Sequence, residues 1–185
     1  EKYSSTEDLF YYFVDRFSTI LQKKGITTSG WEEIGLKKEL NEEEEVVPVV
    51  NEEFISRNFH PYIWNTVWTW GAEDRDYKSA NAGYKVVLAN VNNLYFDLAY
   101  DRDPTDPGYY WGGFVDTKKA WNVVPLDFYT EKIVDRWGNE LPDSVSQQAS
   151  KERLTETGKE NILGIQGQLW AETVKGQDMM EYYIF

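Results

Sequence analysis

Residues Ile162 to Glu172 read "ILGIQGQLWAE", and what this stretch is decides what the chain is. Its first half, aliphatic and glycine-bearing, is the short apolar run of a buried strand. Its second half ends on Trp170 and, two residues on, Glu172, a large ring and a carboxylate whose presence core burial does not explain. The same ending recurs upstream in "SGWEE" (29–33), "YIWNTVWTW" (62–70), "NLYFD" (93–97) and "GYYWGGF" (108–114). Each places Trp or Tyr, often with an acid close by, where a strand is predicted to end.

Working outward, Ser4 or Ser5 followed by Glu7 or Asp8 forms a capping-box pattern. Leu9, Phe10, Phe13, Val14, Phe17, Ile20 and Leu21 then recur at helical spacing up to a stop at Lys23, Lys24 and Gly25. "ITTSGW" (26–31) predicts a strand, and "LKKELNEEEEVVPVV" (36–50) an exposed loop or short helix. "HPYIWNTVW" (60–68) predicts a strand, and "EDRDYKSANAGY" (73–84) a helix ending near Gly83. "KVVLAN" (85–90) is a continuous apolar run, as in a strand covered on both faces of a parallel sheet. "DRDPTDPGYYWGG" (101–113) is rich in turn formers and predicts a long ordered loop, the kind that carries function. Residues 116–160 read as helical or irregular, "ILGIQGQLW" as the last strand and "QDMMEYYIF" (177–185) as a helix. Strands alternating with helices imply parallel pairing, and in a parallel α/β barrel functional residues gather where strands end.

At 185 residues with 41% hydrophobic content, the chain suits one domain with a sizeable core. A net charge of -13, from 19 Lys+Arg against 32 Asp+Glu, argues against nucleic acid as a partner. The absence of cysteine excludes disulfides and thiolate metal sites, and His60, the only histidine, excludes a multi-histidine metal site within this chain. No stretch is long and apolar enough to cross a bilayer as a helix. Glu1 stands where a Met would open a complete chain and Phe185 falls inside an apolar run, so the expectation is a piece of a longer protein.

A sugar presents an apolar face of C–H bonds edged by hydroxyls, so a site for it needs flat aromatic walls and acceptors for hydroxyl protons. Ring and acid side by side supply both, and a charged acceptor makes the stronger bond. The rival readings are a sugar-binding module without catalysis and a plain α/β scaffold whose rings are core.

The stretches "GWEEI" (30–34), "WNTVWTWG" (64–71), "ANAGYKVVLAN" with "LYFD" (80–97), "DPGYYWGGFVDTKKAW" (106–121) and "ILGIQGQLWAE" (162–172) together resemble the catalytic barrel of family 20 glycoside hydrolases, the β-N-acetylhexosaminidases, in their chitobiase-like branch. The resemblance implies that residues 1–185 are an α/β unit, the C-terminal half of a (β/α)8 TIM barrel comprising strands five to eight. It also implies substrate-assisted retaining hydrolysis, in which the substrate's 2-acetamido group attacks the anomeric carbon in place of a carboxylate nucleophile. By the same resemblance Trp31, Trp64 and Trp170 wall the sugar, Tyr95 hydrogen-bonds the acetamido oxygen, Asp97 and Glu172 bind hydroxyls, and Trp111 flanks the leaving group. Trp68 and Trp70 compete with Trp64 for its place in register. No metal or organic cofactor is implied. The implied partners are an N-acetylhexosamine-containing oligosaccharide and the N-terminal half of the barrel, with self-association expected of a half barrel alone; the implied compartment is the periplasm or the outside.

One departure bears on activity. The family's Asp-Glu pair, which supplies the proton to the leaving oxygen, has no match here, so the chain alone is expected to be inactive. Glu32 and Glu33 do not replace it, because neighbours on a strand face opposite ways. Glu42 to Glu45 reads as a solvated charge run, and His60 as a strand residue. Trp68, Trp121 and Trp137 are assigned to packing, and Gly164 and Gly167 to close approach of neighbouring groups.

Overall fold

The computed structural model describes residues 5–130 and 132–185. Its frame is a four-stranded parallel sheet built from β1 (Thr28–Trp31), β4 (Phe59–Ile63), β5 (Val86–Leu88) and β6 (Ile162–Ile165), in that spatial order. The register runs Thr28↔Phe59, Tyr62↔Val87 and Val86↔Ile162, with a bulge between Val86 and Val87. Between β1 and β4 lies an antiparallel hairpin, β2 (Leu36–Leu40) with β3 (Val46–Val50). The hairpin replaces the loop or short helix expected there. Of its strand residues only Leu36 is buried, and neither "LKKEL" nor "VVPVV" alternates apolar with polar residues; Pro48 and the acidic turn disguise the strands further.

Helix α1 (Thr6–Gln22) begins at a true capping box, in which Ser5 Oγ accepts from the Asp8 N–H and Asp8 accepts from the Ser5 N–H. Ser4, the alternative cap, lies outside the described residues. Of the apolar positions on α1 only Val14 is buried; Leu9, Phe13, Phe17 and Ile20 remain exposed, so most of the expected core face is uncovered in this chain. Helix α2 (Arg75–Ala82) connects β4 to β5 and stops at Gly83, and α3 (Val91–Leu94) is a single turn after β5. The long excursion before β6 carries α4 (Thr117–Trp121), α5 (Asp143–Ser146) and α6 (Glu156–Lys159), and α7 (Gln177–Ile184) follows β6.

One apolar cluster, with Phe59, Ile63, Val86 and Leu88 from the sheet and Val14 and Ala80 from α1 and α2, joins the helices to the sheet. A second, of Val67, Val91, Tyr95, Leu98 and Val115, lies beyond the strand ends, with Trp64 and Trp170 packed against it. This second cluster is the bed on which the site rests. Two expectations need correcting. Trp121 and Trp137 are both exposed, Trp121 to 86%, and neither belongs to a core cluster. Gly164 has no heavy atom within 4 Å of where a Cβ would stand, whereas at Gly167 that Cβ would fall 2.4 Å from the Phe96 ring.

Candidate functional site

Beyond the strand ends lies a cavity of about 310 Å3, lined by Trp31, Glu33, Trp64, Tyr95, Asp97, Tyr109, Trp111, Trp170 and Glu172. All seven residues singled out in the sequence therefore share one cavity, and Trp64, not Trp68 or Trp70, lines it. The rings form a continuous wall. Trp31 lies 5.6 Å from Trp170, Trp170 5.9 Å from Tyr95, Tyr95 6.1 Å from Trp111 and Trp111 6.1 Å from Trp64, centroid to centroid. Most of these contacts are edge-on or tilted, the geometry that ring quadrupoles favour. Trp70 stacks on Trp111 from outside at 6.3 Å, and Trp68 packs edge-on against Tyr129.

Each wall has its own support. Trp31 is the last residue of β1, and Trp64 directly follows β4. The backbone N–H groups of Trp64 and Asn65 donate to Glu32 Oε2 at 3.1 and 3.0 Å, and Arg75 pairs with the same carboxylate. Residues 32–35 form a 3-10 turn, not a strand; Glu32 turns into the interior as a buried acceptor and Glu33 turns out to the cavity. Burial raises the Glu32 pKa above its ordinary value, with Arg75 and the two N–H groups opposing.

Tyr95 and Asp97 follow α3 in a bridge and a turn. The Tyr95 bridge to Gln168 ties them to the stretch that ends in Trp170, with Phe96 N–H donating to Gln168 O and Gln168 N–H to Leu94 O. Asp97 Oδ1 accepts from the Trp170 N–H at 3.2 Å, locking the two strand extensions together. The Tyr95 phenol is pushed well above its usual range, chiefly by burial, so it stays protonated and able to donate. The Asp97 carboxyl is also raised, by burial first and by the Glu172 charge among the lesser causes.

The loop bearing Trp111 is held by backbone contact. Tyr109 bridges Leu98, Ala99 N–H donates to Tyr109 O at 2.7 Å, and Val115 N–H donates to Ala99 O. Gly108 permits this approach, since a Cβ there would lie 2.3 Å from the Ala99 nitrogen.

Sequence reasoning missed Glu33 and Tyr109. Tyr109 was legible in "GYYWGG" as a ring close to Trp111, and the two line the same cavity although residues 110–113 form a turn, with Gly113 N–H donating to Tyr110 O. His60 lies within β4, away from the cavity, with its pKa lowered by burial. The carboxylates lining the cavity have no Lys or Arg among them, which disfavours an anionic ligand. Among the described residues no group of three or more His, Asp or Glu is arranged to hold a metal. Rings for an apolar face and ionisable acceptors at the edge suit a neutral, hydroxyl-rich ring.

Comparison with known proteins bears on the identity of that ligand. The model of the glycosyl hydrolase family 20 catalytic domain matches residues 1–185. A β-hexosaminidase of Vibrio vulnificus is 30% identical over 183 residues, 97% of this chain and 19% of that protein. The N,N'-diacetylchitobiase of Vibrio harveyi is 30% identical over 94% of this chain and 18% of its own. In fold, the chain resembles the crystal structure of a Vibrio harveyi exo-β-N-acetylglucosaminidase in complex with N-acetylglucosamine, with a TM-score of 0.64 and 24% identity over 99% of this chain and 22% of that one. The chain thus spans about a fifth of the length of the relatives it matches.

Proposed function

This chain belongs to glycosyl hydrolase family 20, and from that premise we propose that it is the sugar-binding part of an exo-acting β-N-acetylhexosaminidase. The substrate is a terminal β-linked N-acetylglucosamine or N-acetylgalactosamine, and the reaction is retaining hydrolysis assisted by the substrate's own acetamido group. The observation that carries this is the convergence of Trp31, Trp64, Tyr95, Asp97, Trp111, Trp170 and Glu172, from separate stretches of chain, on one cavity of about 310 Å3. That volume is at the lower end for ligand sites, about 300–1,000 Å3, and suits one sugar better than a run of them.

In this mechanism Trp31, Trp64 and Trp170 hold the ring and its acetamido group. Tyr95 donates to the acetamido carbonyl oxygen, orienting it toward the anomeric carbon and stabilising the charge of the oxazolinium-like intermediate; a phenol that keeps its proton suits that task. Asp97 and Glu172 accept from the hydroxyls at positions four and six, and Trp111 flanks the leaving group. Proton delivery to the leaving oxygen falls to an Asp-Glu pair outside this sequence, and general acid catalysis is worth about 10²- to 10⁴-fold. The chain alone is therefore inactive.

The sheet order β1-β4-β5-β6 fits strands five to eight of a barrel whose other half adjoins the free edges of β1 and β6 and the bare face of α1. Without that half the chain self-associates, which a dilution series followed by light scattering reads directly. The decisive experiment compares the chain with the longer protein that contains it, using an aryl N-acetylglucosaminide. Turnover by the longer protein, lost in Tyr95→Phe with folding intact, is the expected result; turnover by the chain alone, or an unimpaired Tyr95→Phe, refutes the assignment.

A further inference from the structure

The loop that carries Trp111 has two faces, and the chemistry of the sugar cavity recurs on the outer one. Tyr109 pairs with Leu98 in an isolated bridge, and the chain then turns over residues 110–113, with Gly113 N–H donating to Tyr110 O at 3.2 Å, so that consecutive rings leave the loop on different sides. Tyr109 and Trp111 enter the sugar cavity, while Tyr110 turns into another cavity of about 290 Å3. Tyr110, Phe114 and Trp137 wall this second cavity, and Asp101, Arg102 and Asp103 stand at its edge. The Tyr110 ring stacks on Phe114 at 6.1 Å and 24° and meets Trp137 at 5.6 Å and 48°.

These walls are fixed. Trp137 sits in a tight turn in which Asp135 Oδ1 accepts from the backbone N–H groups of Trp137 and Asn139, both at 2.8 Å. Arg102 donates to Asn139 Oδ1 at 2.6 Å and so ties the turn to the loop. Tyr110 is 50% exposed and Trp137 45% exposed, so each anchored ring keeps an open face.

The edge is acceptor-rich. Asp101 gives Oδ1 to the Asp103 N–H, and Asp103 gives Oδ1 to the Thr105 N–H and hydroxyl, which leaves Oδ2 of each without a partner among the described residues. Asp106, also lining the cavity, is spent on the N–H groups of Gly108 and Tyr100. Three carboxylates against one guanidinium disfavour an anion, and no described group here is arranged to hold a metal. An uncharged ring with an apolar face and hydroxyl edges satisfies what remains.

We propose that this cavity is a second, non-catalytic sugar site, which holds a pyranose of the substrate polymer on the outer face of the loop while the first cavity holds the residue to be cleaved. The existence of the site stands on its own geometry; the choice of an N-acetylated sugar rests on the function proposed above. Its test uses the indole N–H signals of the isotopically labelled longer protein that contains this chain, during titration with a thio-linked N-acetylglucosamine trimer that resists cleavage, with each signal assigned by substitution. The Trp137 signal is expected to shift saturably in the unmodified protein and again in Trp170→Ala, whose first cavity is crippled. Adding Trp137→Ala to that variant is expected to weaken trimer binding by about tenfold or more, as loss of a tryptophan anchor commonly does. A Trp137 signal that stays still while that of Trp170 moves overturns the second site and spares the first. If neither moves, the sugar assignment of the first cavity falls, and the ligand named here falls with it.

Discussion

Asp76 in the first turn of α2 is wholly buried, and it makes the stability of the chain depend on pH in a direction opposite to that of most carboxylates. Its oxygens accept from the Tyr77 N–H at 2.7 Å and from Asn90 Nδ2 at 2.9 Å, yet among the described residues no cation pairs with it. Burial dominates and pushes its pKa from 3.8 up to about 7, with the Asn90 bond opposing. In the folded chain the carboxyl therefore keeps its proton where the unfolded chain has released it. That stabilisation is complete below about pH 4 and is lost as pH rises to about 7. The rise is a little over three pH units at about 1.36 kcal/mol each, so the loss is about 4 kcal/mol. Among the described residues the Oδ1 of Asn90 is a buried acceptor without a donor, and the protonated acid has a hydroxyl to offer it. Asp76→Asn keeps the shape and removes the titration. Urea unfolding of both proteins from pH 4 to pH 8, compared by difference, isolates this group from all others. The variant is expected to gain about 4 kcal/mol on the wild type across that interval. A difference that stays flat to within about 1 kcal/mol, or runs the other way, refutes the reasoning.

Other outcomes follow from the same geometry. Glu32→Ala strands Arg75 and the N–H groups of Trp64 and Asn65, and is expected to cost about 3–5 kcal/mol in urea unfolding, with Glu32→Gln costing less because it still accepts. Gly108→Ala drives a Cβ into the Ala99 backbone, where no side chain can yield; it is expected to cost about 1–3 kcal/mol and to weaken sugar binding as Trp111 is displaced, both measurable by fluorescence titration. In the longer protein Tyr95→Phe is expected to lower kcat by about 10²- to 10³-fold with an unchanged melting temperature, as loss of one aligned donor does.

The site was more legible in the sequence than the fold around it. Ring-and-acid endings mark strand ends because those ends alone give a large ring one packed side and one open side, and Trp31, Trp64 and Trp170 carry that mark. Tyr95 and Asp97 were legible by their spacing, although the segment is a bridge and a turn and not the strand assumed for it. The β2–β3 hairpin was hidden because it buries too little to leave an alternating pattern. The role of Glu32 was hidden for a different reason. A 3-10 turn and a strand both separate neighbouring side chains, but only the turn sends Glu32 beneath Trp64, and nothing local in "GWEEI" distinguishes the two. The bare face of α1 and the exposed Trp121 show the limit of periodicity, which reports that a surface is apolar but not what covers it.

The alternation of Tyr109, Tyr110 and Trp111 has a consequence for how such a loop can change over generations. Exchanging one ring for another alters a single wall, whereas deleting or inserting one residue between Gly108 and Trp111 shifts Tyr110 and Trp111 within the turn at 110–113 and so disturbs both cavities at once. Loop length is then under tighter selection than loop composition. A library of single-residue insertions and deletions there, scored beside a library of substitutions, should show far fewer survivors among the length variants.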